Sequence, residues 1–204
     1  MRVLYFLEDR AQDGFIKAIV ERVAKEVGIH RDSLVHDVRS ARHGSQVFNR
    51  FKAFLEDPFT VTGSQVDLLV VAIDGNCKGH HEVVKRLEDS IPVDSPLRDR
   101  IVYAVPDPHI ERWYLLDQRA LKKGVGLDHP PDLPDYKCEK DFYKQLLNQT
   151  LAESDVNSLL GGAEYAEQIV AQIQDLDAIG SLDDSFSYFV HALKKFFKTQ
   201  QRLI

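Results

Sequence analysis

The stretch that decides the fold is residues 67–73, DLLVVAI, which a polar turn with the sequence DGN follows at once. The run is apolar almost throughout, which is typical of a central parallel strand that helices cover on both faces. Residues 2–7 (RVLYFL) and 100–105 (RIVYAV) have the same character. We therefore predict three buried strands, and the β-forming residues 33–38 supply a fourth.

Helical periodicity separates these strands. Residues 11–27 repeat apolar side chains at helical spacing, and Gly28 suits the C-terminal end of such a helix. The pattern also predicts helices at residues 46–56, 80–89 and 109–121, with a polar, basic loop at 39–45 and with Pro58 ending the second helix. Alternation of strands and helices predicts an α/β fold with a largely parallel central sheet flanked by helices.

The last third of the chain carries no strand pattern. Residues 124–136 are rich in proline and glycine and predict an ordered loop. Helices are predicted beyond it at residues 138–151, 162–174 and 183–198, the last capped by Asp183 or Asp184. We divide the chain into an α/β core at 1–123 and an all-helical C-terminal part at 124–204, loop included, that packs on the core.

Composition limits the classes of function. The chain has 204 residues and a formal net charge of −6, so it lacks the general basic excess of a broad nucleic-acid-binding surface. A nucleic-acid enzyme of this charge needs a local basic stripe, a metal ion or a basic partner. The apolar start is too short for a signal peptide, and no stretch reaches about 18 apolar residues. We expect a cytoplasmic protein that does not enter a membrane.

The two cysteines, Cys77 and Cys138, are too few for a disulfide framework. A reducing compartment is the default expectation, and a single bridge remains open. A zinc site is an alternative, because Cys77 and His80 have C-x-x-H spacing and His81, His109 and Cys138 are further potential ligands. The chain has no second paired motif of the usual kind, which makes zinc a minor alternative.

Three predicted strands end near acidic residues. Glu8 follows the first strand, and Asp74 follows the central one. Asp107 and Glu111 follow the last. Because open α/β sheets bind ligands beyond the carboxyl ends of their strands, we expect these side chains at one edge, where they repel one another unless a proton or cation neutralises them. Their hard oxygen atoms suit Mg²⁺ or Mn²⁺, although each residue alone is also explained as a turn or cap former.

Cations and a histidine accompany the acids. Lys78, in the glycine-containing stretch 74–81, and Lys137 are placed to offset phosphate charge, although the charges of 137–144 also fit a solvated helix face. His109 is a base or ligand in one interpretation and a hydrogen-bonded structural residue in the other. Trp113 is predicted in the core. The spacings of a P-loop, a dinucleotide-binding loop and a nucleophile elbow are absent from the sequence.

The strands ending in Glu8 and Asp74, together with residues 111–117 (ERWYLLD), resemble a toprim-type domain. The chain is similar to small toprim-like proteins encoded beside AAA/ABC-type ATPases, which are akin to the nuclease half of the overcoming-lysogenization-defect (OLD) family. Residues 185–193 (SFSYFVHAL) resemble the C-terminal helix of such proteins. The likeness therefore spans most of the chain.

A toprim domain places a glutamate after its first strand and an Asp-x-Asp pair after a later one, and these acids hold Mg²⁺ for phosphodiester cleavage. By the resemblance, Glu8 and Asp74 take two of these positions. Asn76 stands where the second aspartate is expected, and its carbonyl oxygen can ligate without adding charge. Related proteins often read Glu-Gly-x-Thr-Glu after the first strand, whereas Gln12 replaces the last acid here and Asp13 is a substitute for it.

The resemblance implies a metal-dependent nuclease or phosphodiester-cleaving subunit that works with an AAA/ABC-type ATPase on DNA or RNA, in genome or anti-phage defence. Its expected cofactor is Mg²⁺ or Mn²⁺, and the sequence is compatible with a homo-oligomer. The candidate catalytic residues are Glu8, Asp74, Lys78, Glu111 and Lys137, and the candidate metal ligands are Glu8, Asp74, Asn76 and Glu111.

Two alternatives remain open. In the first, a catalytically degenerate toprim domain binds a nucleotide or nucleic acid, or only docks on an ATPase, which the Gln12 and Asn76 departures favour. In the second, the chain is a phosphotransferase or phosphatase acting on a small molecule, which the missing basic surface favours.

Overall fold

Four parallel strands form the centre of the computed structural model, which describes residues 1–57 and 65–201. Their order across the sheet is β2-β1-β3-β4. The strands are β1 (Arg2–Leu7), β2 (Val35–Ser40), β3 (Leu68–Ala72) and β4 (Ile101–Ala104). The predicted α/β class with a parallel sheet is therefore confirmed. The second strand lies two residues later than predicted, because it is a polar edge strand whose sequence, VHDVRS, gives a weak pattern.

The helices alternate with these strands and then continue alone. They are α1 (Arg10–Glu26), α2 (Gly44–Glu56), α3 (His80–Glu88), α4 (Ile110–Leu115), α5 (Gln118–Val125), α6 (Phe142–Glu153), α7 (Ala166–Gln172), α8 (Leu176–Gly180) and α9 (Asp184–Gln201). The predicted helical C-terminal part is confirmed. Pro58, predicted to end α2, lies outside the described residues.

Two hydrophobic cores cover the two faces of the sheet. Val3, Tyr5 and Leu7 of β1 contribute to one core, together with apolar residues of α1 and of the C-terminal helices. Leu4 and Phe6 alternate with them and contribute to the other core, with α2 and α3. Strands buried on both faces explain the nearly continuous apolar runs in the sequence.

The helix predicted at residues 109–121 is two helices, α4 and α5. The break comes at Asp117, whose side chain accepts hydrogen bonds from the backbone N–H groups of Arg119 and Ala120, at 3.0 and 2.9 Å. It thus caps a new helix instead of continuing the old one. The short helix α8, which we did not predict, begins in the same way, with Asp175 accepting from two backbone N–H groups. Within the described ranges, no helix has the length and apolar content needed to cross a membrane.

A buried ion pair joins the C-terminal helices to the core. Arg112 donates from Nε to Asp183 Oδ2 at 2.7 Å and from Nη1 to the Tyr143 hydroxyl at 2.9 Å. Trp113, predicted in the core, is buried and donates from Nε1 to Ser185 Oγ at 3.0 Å. Two successive residues of α4 therefore fix the start of α9.

Candidate functional site

The strand order places a crevice between the ends of β1 and β3. Helix α1 leads from β1 to β2 on one side, whereas β3 pairs on the other side of β1. In open α/β sheets, the carboxyl edge at such a reversal of strand order is where ligands bind. Glu8 follows β1 and Asp74 closely follows β3, so the two predicted acids flank this point.

Glu8 and Asp74 contact each other directly. The Asp74 backbone N–H donates to Glu8 Oε1 at 3.1 Å. Gln12, which is completely buried, bridges them. Its Oε1 accepts from the Glu8 backbone N–H at 2.9 Å, and its Nε2 donates to Asp74 Oδ1 at 2.9 Å. Gln12 therefore satisfies one oxygen of Asp74 with a hydrogen bond and adds no charge.

The other oxygen of Asp74 faces a histidine. His109 Nδ1 lies 3.4 Å from Asp74 Oδ2, and both side chains are mostly buried. The hydrogen bond and the charge of Asp74 raise the pKa of His109 above its usual value. His109 and Asp74 thus form a carboxylate–imidazole pair. His109 is hydrogen-bonded, as the structural interpretation expected, and it lies within the candidate site, as the interpretation as a base or ligand requires.

Three carboxyl groups share this environment. Burial, followed by the charge of Asp74, raises the pKa of Glu8 from 4.5 to about 7. Burial also raises the pKa of Asp74, against hydrogen bonds from His109 and Gln12 that lower it. Glu111, in the first turn of α4, has its pKa raised by burial and then by Asp74 and Asp9. We call Glu8, Asp74 and Glu111 the carboxylate cluster; a proton is held there at pH values where isolated carboxyl groups have lost theirs.

Gly44 allows a helix to start against this cluster. A Cβ atom at Gly44 would lie 2.4 Å from Glu8 Oε1 and 2.7 Å from Ile73 Cγ2, so a side chain would displace the Glu8 carboxylate or the strand end. Helix α2 begins here, and the positive end of its dipole therefore lies beside the Glu8 carboxylate.

The loop after β3 is attached to the loop after β4. Gly75 and Asn76 donate from their backbone N–H groups to the carbonyls of Pro106 and Pro108, at 2.7 and 2.9 Å. Asn76 has φ of 49° and turns its side-chain amide onto the backbone carbonyl of Asp74, at 3.0 Å. Asparagine tolerates this left-handed conformation better than most residues, which accounts for its presence in a tight turn.

A disulfide holds the same loop from outside. Cys77 and Cys138 are bonded, with their Cα atoms 5.6 Å apart, which realises the single bridge that the sequence left open. The minor zinc alternative is wrong for these two residues, because their sulfur atoms are bonded to each other and are not thiolate ligands.

The two predicted lysines do not join the carboxylate cluster. Lys78 is exposed, and its ammonium group makes no hydrogen bond or ion pair with the described part of the chain. The Lys137 ammonium lies 4.7 Å from the centre of the Phe142 ring. Each lysine is next to a disulfide-bonded cysteine in the sequence. Glu8 and Asp74 are in contact, and Glu111 is close enough to Asp74 for that charge to raise its pKa.

The cluster fits a hard divalent cation in ligand chemistry. Its donors are carboxylate oxygens; burial is the main cause of their raised pKa values and the charge of Asp74 adds to it, and a cation would favour the ionised forms. Among residues 1–57 and 65–201, no three His, Cys, Asp or Glu side chains stand ready to hold a metal ion. In this arrangement Gln12 donates a hydrogen bond to one oxygen of Asp74, and the His109 imidazole lies beside the other.

Sequence reasoning missed the role of Gln12, which it treated only as a departure from a pattern. The available signal was its position one helical turn after Glu8, on the buried side of α1. The comparisons with protein-family models, with curated proteins and with solved structures found no match to this chain.

Proposed function

We propose that this protein is a metal-dependent phosphodiesterase that cleaves nucleic acid. The observation that carries the proposal is the carboxylate cluster at the sheet's point of strand-order reversal, where Glu8 and Asp74 touch and the pKa of Glu8 is raised to about 7. By the toprim resemblance, an AAA/ABC-type ATPase presents the DNA or RNA, in genome or anti-phage defence. Such presentation suits a chain with a net charge of −6, which does not attract nucleic acid by itself.

Glu8 and Asp74 would hold Mg²⁺ or Mn²⁺, with Glu111 as a further carboxylate. The bound cation would supply positive charge to the phosphate oxygens as negative charge develops on them. Lys78 and Lys137 would add charge as the substrate closes over them.

The pair of His109 and Asp74 supports a proton-transfer role. Because Asp74 lies at Nδ1, it favours the proton on that nitrogen and leaves Nε2 as the position that accepts a proton from an attacking water molecule. The contact with Asp74 raises the pKa of His109, so the imidazole holds a proton more readily than an isolated histidine does.

The test is cleavage of labelled single-stranded and duplex DNA and RNA with Mg²⁺ or Mn²⁺, with the ATPase partner when it is known. We expect Asp74→Asn to lower the cleavage rate about a hundredfold to a thousandfold, the loss typical of a group that acts on transition-state charge. Folding should be preserved, because the substituted side chain is isosteric.

Asp94→Asn is the matched control, since Asp94 is an exposed carboxylate between α3 and β4, at the amino edge of the sheet. It should cleave like the unaltered protein. Cleavage that persists in Asp74→Asn, or in excess chelator, would refute the metal site.

A binding module is the second candidate, and one observation favours it. Both oxygens of Asp74 already have protein partners, Gln12 and His109. Calorimetry with Mn²⁺ separates the two functions, because the nuclease must bind the ion and the module need not. A protein that binds nucleic acid without binding Mn²⁺ would support the module.

A further inference from the structure

Beside the carboxylate cluster lies a second feature, an open cavity of about 420 Å³. Its wall includes His80 and His81 at the start of α3, Tyr136 from the loop before α6, and Asp184 at the start of α9. We call this space the side cavity. Its volume lies in the range of small-molecule sites, roughly 300 to 1,000 Å³.

Asp107 connects the side cavity to the carboxylate cluster. It lines the cavity, and its Oδ1 accepts from the Cys77 backbone N–H at 3.0 Å. A Cβ atom on Gly75, the residue after Asp74, would lie 2.4 Å from the same oxygen. The cavity therefore lies next to the loop that follows Asp74, the cluster residue at the end of β3.

One residue of the lining is buried without a hydrogen bond. His80 is 8% exposed, and its ring makes no hydrogen bond within the described part of the chain. It stacks beside His81, with ring centres 3.9 Å apart, and lies 5.6 Å from the ring of Tyr188. The ring nitrogens of His80 are not among the fully buried polar atoms that lack a partner in the described residues, so they stay accessible at the cavity wall, where a ligand can bond to them.

The ring of Tyr136 and the carboxylate of Asp184, both in the lining, indicate what kind of ligand the cavity would take. Tyr136 is 49% exposed, and its hydroxyl donates to Asp107 Oδ2 at 3.0 Å, which fixes the ring at the wall. Asp184 is exposed and makes no hydrogen bond or ion pair with the described residues. The Arg112 guanidinium lies over the Tyr136 ring, 5.5 Å from its centre, so a planar ligand would have to use the opposite face of the ring. The Asp184 carboxylate is an unused hydrogen-bond acceptor.

Charge excludes a phosphate from the side cavity. Arg112, the guanidinium in the wall, is already paired with Asp183, and Asp107 and Asp184 add two negative groups. An anion would be repelled, whereas a neutral, flat ring with N–H donors would be accepted. Nucleobases have this character, and unpaired bases stack on tyrosine and histidine and donate amino hydrogens to carboxylates.

We propose that the side cavity binds one unpaired nucleobase, which stacks on Tyr136 and donates its amino group to Asp184, while His80 hydrogen-bonds another edge. This inference rests on the proposed function for the identity of the polymer, and it deepens that function. It specifies single-stranded or unstacked nucleic acid, with a phosphodiester on the carboxylate cluster and a neighbouring base in the cavity.

The test compares cytidine with uridine, which differ in an amino group and a carbonyl oxygen at C4. Binding to the disulfide-bonded protein is titrated by saturation-transfer NMR in the presence of a chelator, so that neither a phosphate nor a metal contributes. We expect cytidine to bind about tenfold more tightly, since a hydrogen bond to a charged acceptor discriminates by about that factor.

Three variants assign the contacts. Asp184→Asn should abolish the preference for cytidine, and Tyr136→Ala should weaken both nucleosides about tenfold through lost stacking. Tyr136→Phe retains the ring and should bind nearly as the unaltered protein does, which separates stacking from the hydroxyl contact. Asp94→Asn is again the control for a lost surface carboxylate.

Equal binding of the two nucleosides, absence of binding, or a preference that survives Asp184→Asn would each overturn the proposal. Metal-dependent cleavage without nucleoside binding would refute the base site and support the nuclease. Nucleoside binding without cleavage, with or without the ATPase partner, would refute the nuclease function and support the base site.

Discussion

Two largely buried aspartates, Asp183 and Asp74, are satisfied in different ways. Asp183 pairs with Arg112 and also accepts from Ser185 Oγ and from the Phe186 backbone N–H. Asp74 is met by a neutral amide and by a histidine whose charge depends on pH. One carboxylate has a permanent cation beside it, and the other does not.

This difference separates a structural acid, Asp183, from a candidate functional one, Asp74. A buried carboxylate with a full set of partners holds elements in place and has little to offer a ligand. The carboxylate cluster instead holds charge that burial opposes, as the raised pKa values of its three carboxyl groups indicate. Groups perturbed in this way concentrate at functional sites.

The largest effect on stability should come from breaking the buried ion pair of Arg112 and Asp183. Arg112→Met leaves the charge of Asp183 buried without its cation, and we expect a loss of about 3–5 kcal/mol in the free energy of unfolding. Urea denaturation followed by circular dichroism measures it. The double variant Arg112→Met with Asp183→Asn should recover part of the loss, and a double variant no more stable than the single one would contradict this account.

A smaller effect should come from titrating the carboxylate cluster. The pKa of Glu8 is about 7 in the folded protein and near 4.5 when the chain unfolds, so the folded state holds the proton more tightly between these values. Stability should therefore fall as pH rises from about 5 to 8, by about 2 kcal/mol from Glu8 since solvent still reaches part of its side chain. The raised pKa values of Asp74, Glu111 and His109 act in the same direction.

Urea denaturation at several pH values measures this slope, and Glu8→Gln should flatten it because the amide does not titrate. If the cluster is the proposed metal site, saturating Mn²⁺ should reverse the trend, since a cation would favour the ionised carboxylates. A stability that rises across the same pH range in the metal-free protein would show that the cluster is not strained by its charges.

The smallest effect should come from a surface ion pair. Lys194 Nζ lies 2.7 Å from Asp177 Oδ1, whose side chain is 58% exposed. Asp177→Asn should change the free energy of unfolding by less than about 1 kcal/mol, because water screens exposed pairs. A loss as large as that of Arg112→Met would mean that burial does not distinguish these ion pairs.

The sequence was sufficient for the sheet and for the position of the acids. The apolar runs that became β1 and β3 are buried on both faces, and in parallel strands this forces Glu8 and Asp74 to one edge. Here a local pattern determines a long-range contact, because the direction of each strand follows from the alternation with helices.

The rest depended on contacts that no local pattern encodes. Gln12 reaches Asp74 across 62 positions of sequence, and Arg112 reaches Asp183 across 71. The positions of Lys78 and Lys137 depended on a disulfide between loops that spacing alone does not predict. The break before α5 depended on Asp117 capping a new helix, a choice that helical periodicity does not reveal.

The disulfide changes how the residues of the candidate site are connected along the chain. The bond between Cys77 and Cys138 closes a ring of polypeptide that contains His109 and Glu111, while Glu8 and Asp74 lie outside it. Asp74 is only three residues from the closure. When the loops open transiently, the ring gives His109 and Glu111 a second path of chain back to Asp74 beside the direct one, which limits how far they separate and favours return to the same arrangement.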